Sequence, residues 1–120
     1  MSADHEERLR RLALHDDNLI QSMLAIAPGH VEASGLDPKS CALVRLGALL
    51  ALDASFVSYH WGVQWALAAG ATPEEIVGTL MAVAPISGVA RVVAAAPQFS
   101  LALGYDLDAA LEGRRNRDST

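Results

Sequence analysis

Residues 70–76 read Gly-Ala-Thr-Pro-Glu-Glu-Ile, a helix stop followed within two residues by a helix start. Gly70 can take the left-handed backbone that ends a helix. Thr72 is placed to cap the next one through its hydroxyl, and Pro73 suits the first helical position because its missing N–H has no partner there anyway. Glu75 can reach back to the Thr72 amide, which completes a capping box. The middle of the chain is therefore helix, turn, helix, and the remaining segments must be compatible with that.

They are. Asp4 to Leu14 reads as an amphipathic helix with Leu9, Leu12 and Leu14 inward, interrupted at His15-Asp16-Asp17. A short helix from about Asn18 to Ile26 is stopped by Pro28-Gly29. Asp37-Pro38 starts a third, which carries Leu43, Leu46, Leu49, Leu50 and Leu52 around Arg45. Asp53-Ala54-Ser55 offers another cap, with a helix from about Ser55 to Ala69. From Ile76 the apolar run continues to Pro85, where a break or kink is expected because proline removes a donor and crowds the preceding turn. A last helix covers Val89 to Ala95, and Phe99, Leu101 and Leu103 pack beyond Pro97. No strand-like alternation or repeat occurs, so the expected fold class is all-α, in one compact domain over residues 1–120. Disorder is expected at about residues 1–4 and in the polar tail, 113–120.

Apolar residues make up 52% of the chain but aromatic ones only 5%, so the apolar mass is Ala, Leu and Val, which suit closely approaching helices. A domain this small exposes much of its surface, and so apolar a surface calls for a partner subunit. The expectation is a homo-oligomer. A net charge of −5 argues against nucleic acid, and the basic clusters at Arg8, Arg10, Arg11 and at Arg114, Arg115, Arg117 read as solvated helix ends. The most apolar stretch, Ile76 to Pro97, holds Pro85, Gly88 and a central Arg91, so a buried helix pair is expected there and no membrane span. The N-terminus has no basic-then-apolar run, so no signal peptide is expected. Cys41 is the sole cysteine, which fits a reducing cytoplasm.

The residues from Gly35-Leu36-Asp37-Pro38-Lys39, through Ala68-Ala69-Gly70-Ala71-Thr72-Pro73-Glu74-Glu75-Ile76-Val77, to Val83-Ala84-Pro85-Ile86-Ser87-Gly88 resemble the carboxymuconolactone decarboxylase and AhpD-like family. The resemblance implies an AhpD-like helical bundle assembled as a homotrimer or homohexamer, often with an active site near a subunit contact. It also implies where the peroxidase branch keeps its thiol machinery. The two cysteine positions fall on Ser55 and Ser58, the histidine position on Gly62, and a glutamate position around Ala42. All four depart from the pattern. Disulfide chemistry needs two thiols and a relay, so thiol peroxidase activity is not expected.

His60 lies two residues from the missing histidine, but two helical residues turn a side chain by about 200°, so it is not a simple replacement. It is either a partly buried histidine bonded to a neighbour such as Gln64, or an acid/base. His15 and His30 fall in loops with surface roles. Gly62, in mid-helix, marks either close helix packing or a small pocket whose helical face would carry Ser55, Ser58, Tyr59, Trp65 and Ala66. Trp61 and Trp65 sit one turn apart, as core or interface pairs do. Arg45 and Arg91 are charges in very apolar helices. Either can hold a substrate carboxylate, or form a salt bridge to Glu32, Asp53 or another acid across a subunit boundary.

No metal-ligand cluster, phosphate loop or Gly-x-Ser-x-Gly elbow is present, so neither metal nor cofactor is expected. The resemblance suggests a cofactor-independent lyase or isomerase on a small carboxylate or lactone. On that reading His60, Tyr59 and Ser58 are the catalytic candidates, with Ser55, Gly62, Trp65, Arg45 and Arg91 binding substrate. The alternative is a ligand-binding or scaffold oligomer that keeps the fold without chemistry.

Overall fold

Every regular element among the described residues of the computed structural model is a helix; those residues are 3–24, 34–105 and 107–118. Packing divides the chain into two compact units, Met1–Pro38 and Lys39–Thr120.

The first unit holds α1 (Ala3–Ala13) and α2 (Asp17–Leu24). Asp4 and Glu6 in the first turn of α1 and Arg10 and Arg11 in its last turn complement the helix dipole. The chain reverses at His15, which takes a positive φ of 60°. Asp16 then caps α2: its Oδ1 accepts from the Leu19 amide at 3.0 Å and from Arg11 Nη2 at 3.2 Å. Those donors, the Arg11 guanidinium foremost, hold the Asp16 carboxyl below its ordinary value. Leu9, Leu12 and Leu14 were expected inward, yet all three are exposed. The expected α2 terminus at Ile26, its Pro28-Gly29 stop, His30 and Glu32 lie outside the described residues.

The second unit contains α3 (Pro38–Ala51), α4 (Phe56–Ala68), α5 (Pro73–Ser87), α6 (Val89–Ala102) and α7 (Leu107–Asp118). Helix α6 packs on α4, α5 and α7. Their shared core is built around Leu46, Leu50, Tyr59, Ile76, Leu80 and Phe99. Each such side chain contributes roughly 1.5–3 kcal/mol when fully buried. Small residues set the helix spacing. A Cβ on Gly47 would stand 3.1 Å from Val83 Cγ2, and one on Gly62 would stand 2.8 Å from Leu46 Cδ2.

The turn before α5 forms as the sequence dictates. Gly70 adopts φ 99°, Glu75 N donates to Thr72 Oγ1 at 3.1 Å, and Thr72 N donates to Glu75 Oε1 at 2.9 Å. The Glu75 carboxylate also meets Lys39 Nζ at 2.9 Å, which fastens the head of α3 to the head of α5.

Of the break or kink expected at Pro85 the break does not occur, and the end expected at Ala95 lies further on. Helix α5 continues through Pro85 to Ser87 and stops at Gly88, whose φ is 100°; α6 continues through Pro97 to Ala102 instead of ending at Ala95. The carbonyls that lose a donor belong to residues four positions earlier, Met81 and Val93, which are 70% and 64% exposed. Water can serve groups on that side, so each proline removes one bond without ending the helix. At the other end, α7 runs to Asp118. No helix among the described residues is long and apolar enough to cross a membrane.

Candidate functional site

The residues singled out on α3, α4 and α6 fall into two groups that do not converge. The first lies where α3 gives way to α4. Asp53 takes a positive φ of 56°, and Ser55, not Asp53, is the cap of α4, its Oγ accepting from the Ser58 amide at 3.3 Å. Ser55 Oγ also donates to Ser58 Oγ at 3.3 Å. The two hydroxyls are thus engaged with each other and with the helix end.

Tyr59 points the other way. It is 1% exposed, with its ring 4.9 Å from that of Phe99, and its hydroxyl has no hydrogen-bond partner among the described residues. Burial pushes the phenol up, the negative charge of Asp53 adds to this, and the positive charge of Arg91 opposes it. Arg91 Nη1 donates to the Ala51 carbonyl, at the C-terminal end of α3. A cation suits that end of a helix dipole. This cap joins α6 to α3.

The second group is Arg45, Trp61 and Trp65. The Arg45 guanidinium carbon lies 4.6 Å from the centre of the Trp65 ring, and Trp61 meets Trp65 edge to face at 4.8 Å. Trp61 is 53% exposed. Arg45 Nη1 is sealed from water and has no acceptor, and no acid pairs with Arg45 among the described residues. A buried charged donor left unpaired is costly, and the stacking returns only about 0.5–2 kcal/mol of that. On chemistry alone, the arrangement suits an anion that bears a flat or apolar body.

The remaining candidates stand apart. His60 is exposed beside Phe56, ring centres 6.1 Å apart, and its expected partner Gln64 donates instead to the Ala102 carbonyl at 3.0 Å. The space on which a pocket at Gly62 depends is filled by Leu46 and Leu49, so close packing accounts for this glycine. Cys41 is buried in α3. No group of three or more His, Cys, Asp or Glu side chains able to hold a metal occurs among the described residues.

One feature was missed from the sequence. A shallow apolar depression over Gly78 on α5 is lined by Pro73, Glu74, Val77 and Met81. The uncharged run between Glu75 and Arg91 is the signal that could have found it.

With this geometry in place, comparison with protein families gives one decisive match: the model described as Carboxymuconolactone decarboxylase family covers residues 18–100. The chain belongs to the carboxymuconolactone decarboxylase family. No curated protein and no solved structure matches it. Membership in the family accounts for the all-helical architecture, and the matched span takes in α3, α4 and α5 with both candidate groups.

Proposed function

We propose that this member of the carboxymuconolactone decarboxylase family is a cytoplasmic homo-oligomer, trimer or hexamer, that binds a small carboxylate-bearing molecule at Arg45 and Trp65 without thiol chemistry or a cofactor. The observation that carries the reading is the Arg45 guanidinium, stacked on an indole and lacking an acceptor. A carboxylate supplies that acceptor, and an arginine fork binds it with two parallel hydrogen bonds. Trp65 and the exposed edge of Trp61 supply an apolar wall for the ligand body. Arg91 is the weaker anchor because the end of α3 already occupies it. Binding without conversion fits best, since Tyr59 is buried against Phe99, His60 is exposed beside Phe56, and the two serines are engaged in capping.

A second reading, cofactor-independent lyase or isomerase action on a small carboxylate or lactone, draws on one observation. The Tyr59 hydroxyl is buried, protonated and unpartnered within the field of Arg91, as an acid that protonates a developing carbanion would be. For it to act, the core around Phe99 has to open to substrate.

A thermal-shift screen of small aromatic acids and lactones, followed by a turnover assay on each hit, tests both. A hit that raises the melting temperature of the wild type but not of Arg45→Met, and is recovered unchanged, supports the binding reading. Turnover lost in Tyr59→Phe supports the second. Hits that stabilise Arg45→Met as well as the wild type contradict the first reading, and turnover retained in Tyr59→Phe contradicts the second.

A further inference from the structure

Between them, α3 and α4 carry two lysine or arginine residues, Lys39 and Arg45, and no acid. Lys39 is held by Glu75 at 2.9 Å. Arg91 reaches the end of α3 from α6, and its Nη1 already donates to the Ala51 carbonyl. His60 lies about 140° around α4 from Trp65, beside Phe56. That leaves Arg45, whose Nη1 has no acceptor among the described residues although the side chain as a whole is only half-buried.

The register of the two helices shows what lies beside it. Gly62 sits against Leu46 and Leu49, and Trp65 against Arg45, so the path from Arg45 toward the end of α3 runs beside the path from Trp65 toward the start of α4. One turn along, the line of Arg45 reaches Ala48 and that of Trp65 reaches Trp61; a second turn reaches Leu52 and Ser58. Ala48, Leu52 and Trp61 are exposed, and Ser58 Oγ accepts from Ser55 Oγ. The next charged residue after Arg45 in the chain is Asp53, about 12 Å on at a helical rise, and it is an acid.

We infer, on the strength of the binding reading above, that the Arg45 site takes aromatic monocarboxylates and rejects dicarboxylates, with Trp61 selecting the aromatic body. One carboxylate meets Arg45 through two parallel hydrogen bonds. The rest of the molecule runs over Ala48 and Trp61, where a second carboxylate would exchange water for apolar surface, find no cation, and approach Asp53. An uncharged ring in the same place meets none of those penalties, and specificity is the difference between the two affinities. Trp61 is 53% exposed and held edge-on to Trp65 at 4.8 Å, so it presents indole surface to that ring. Aromatic pairs, stacked or edge-on, attract beyond what their buried area gives. A saturated ring of the same size keeps the area and loses that increment.

The test is isothermal titration of the full chain, at neutral pH and fixed ionic strength, with terephthalate, its monomethyl ester, benzoate and cyclohexanecarboxylate. The monoester differs from terephthalate by one charge and is expected to bind the wild type at least about tenfold tighter. Benzoate is expected to bind at least about threefold tighter than cyclohexanecarboxylate. Trp61→Leu is expected to abolish that second preference and Trp61→Phe to keep it, both variants folding as the wild type does by circular dichroism. Terephthalate bound as tightly as its monoester, or a benzoate preference unchanged in Trp61→Leu, while Arg45→Met still loses binding, overturns this selectivity and spares the binding reading. Benzoate affinity unaltered by Arg45→Met, or no saturable binding of any of the acids to the wild type, overturns both.

Discussion

Arg45 and Trp65 face each other across α3 and α4 with the guanidinium carbon 4.6 Å from the ring centre, and one guanidinium nitrogen has neither water nor an acceptor. Such a pair is poised between two states. Empty, it holds a charged donor whose desolvation is uncompensated; filled by an anion, it has a charge-assisted hydrogen bond in a sheltered place. The consequence for stability is opposite in sign to that of most core substitutions. Arg45→Met keeps the apolar stem, loses about 0.5–2 kcal/mol of stacking, and relieves about 1–3 kcal/mol of unmet desolvation. Without ligand the variant is expected to melt at or above the wild-type temperature in calorimetry. A fall of several degrees means that Arg45 already has a partner.

Tyr59 presents the same problem in neutral form. Tyr59→Phe removes a buried hydroxyl without a partner and keeps the ring against Phe99, so the variant is expected to be as stable as the wild type or up to about 1–3 kcal/mol more stable by urea unfolding. The pH dependence follows from the raised phenol. Its contribution is fully present below the ordinary value of 10.0 and is lost above it, as the unfolded phenol ionises while the folded one stays protonated. Wild-type stability is therefore expected to fall faster than that of Tyr59→Phe between pH 10 and the higher folded value.

Gly62 and Gly47 order two alanine substitutions. The new methyl would sit 2.8 Å from Leu46 at position 62 but 3.1 Å from Val83 at position 47. Leu46 is wholly buried and has little room to shift, so Gly62→Ala is expected to cost about 1–3 kcal/mol despite the better helix propensity, and Gly47→Ala less. Equal effects in denaturant unfolding would contradict the close approach at Gly62.

The capping box before α5 sets an acid limit. Thr72→Ala is expected to cost about 1 kcal/mol. The Thr72 amide, first, and Lys39 hold the Glu75 carboxyl below its ordinary 4.5. A depressed folded value means the contribution is complete above about pH 4.5 and is lost as pH falls through the lower folded value. Glu75→Gln is thus expected to flatten the stability profile below pH 4.5 while leaving it parallel to the wild type near pH 7.

How far the sequence revealed this molecule depends on the range of the forces involved. Gly70, Thr72, Pro73 and Glu75 interact within one turn, so their structure was legible from four residues. Neither a break at Pro85 nor an end at Ala95 occurs, because a proline ends a helix only where its lost bond cannot be replaced, and the exposure of Met81 and Val93 is a tertiary property. The same holds for the site. Arg45, Arg91 and Trp65 could be nominated as unusual residues in apolar helices, and Gly62 as a helix glycine in need of a reason. Which arginine is occupied, and whether Gly62 borders space or a leucine, depends on side chains at least thirteen positions away in sequence.

The most direct measurement is isothermal titration of the wild type and of Arg45→Met with the same small aromatic carboxylate, the one giving the largest thermal shift, beside its carboxamide. The account predicts saturable binding of the carboxylate to the wild type, and at least tenfold weaker binding both for the carboxamide and for the arginine variant. Equal affinity of the acid for both proteins would contradict it.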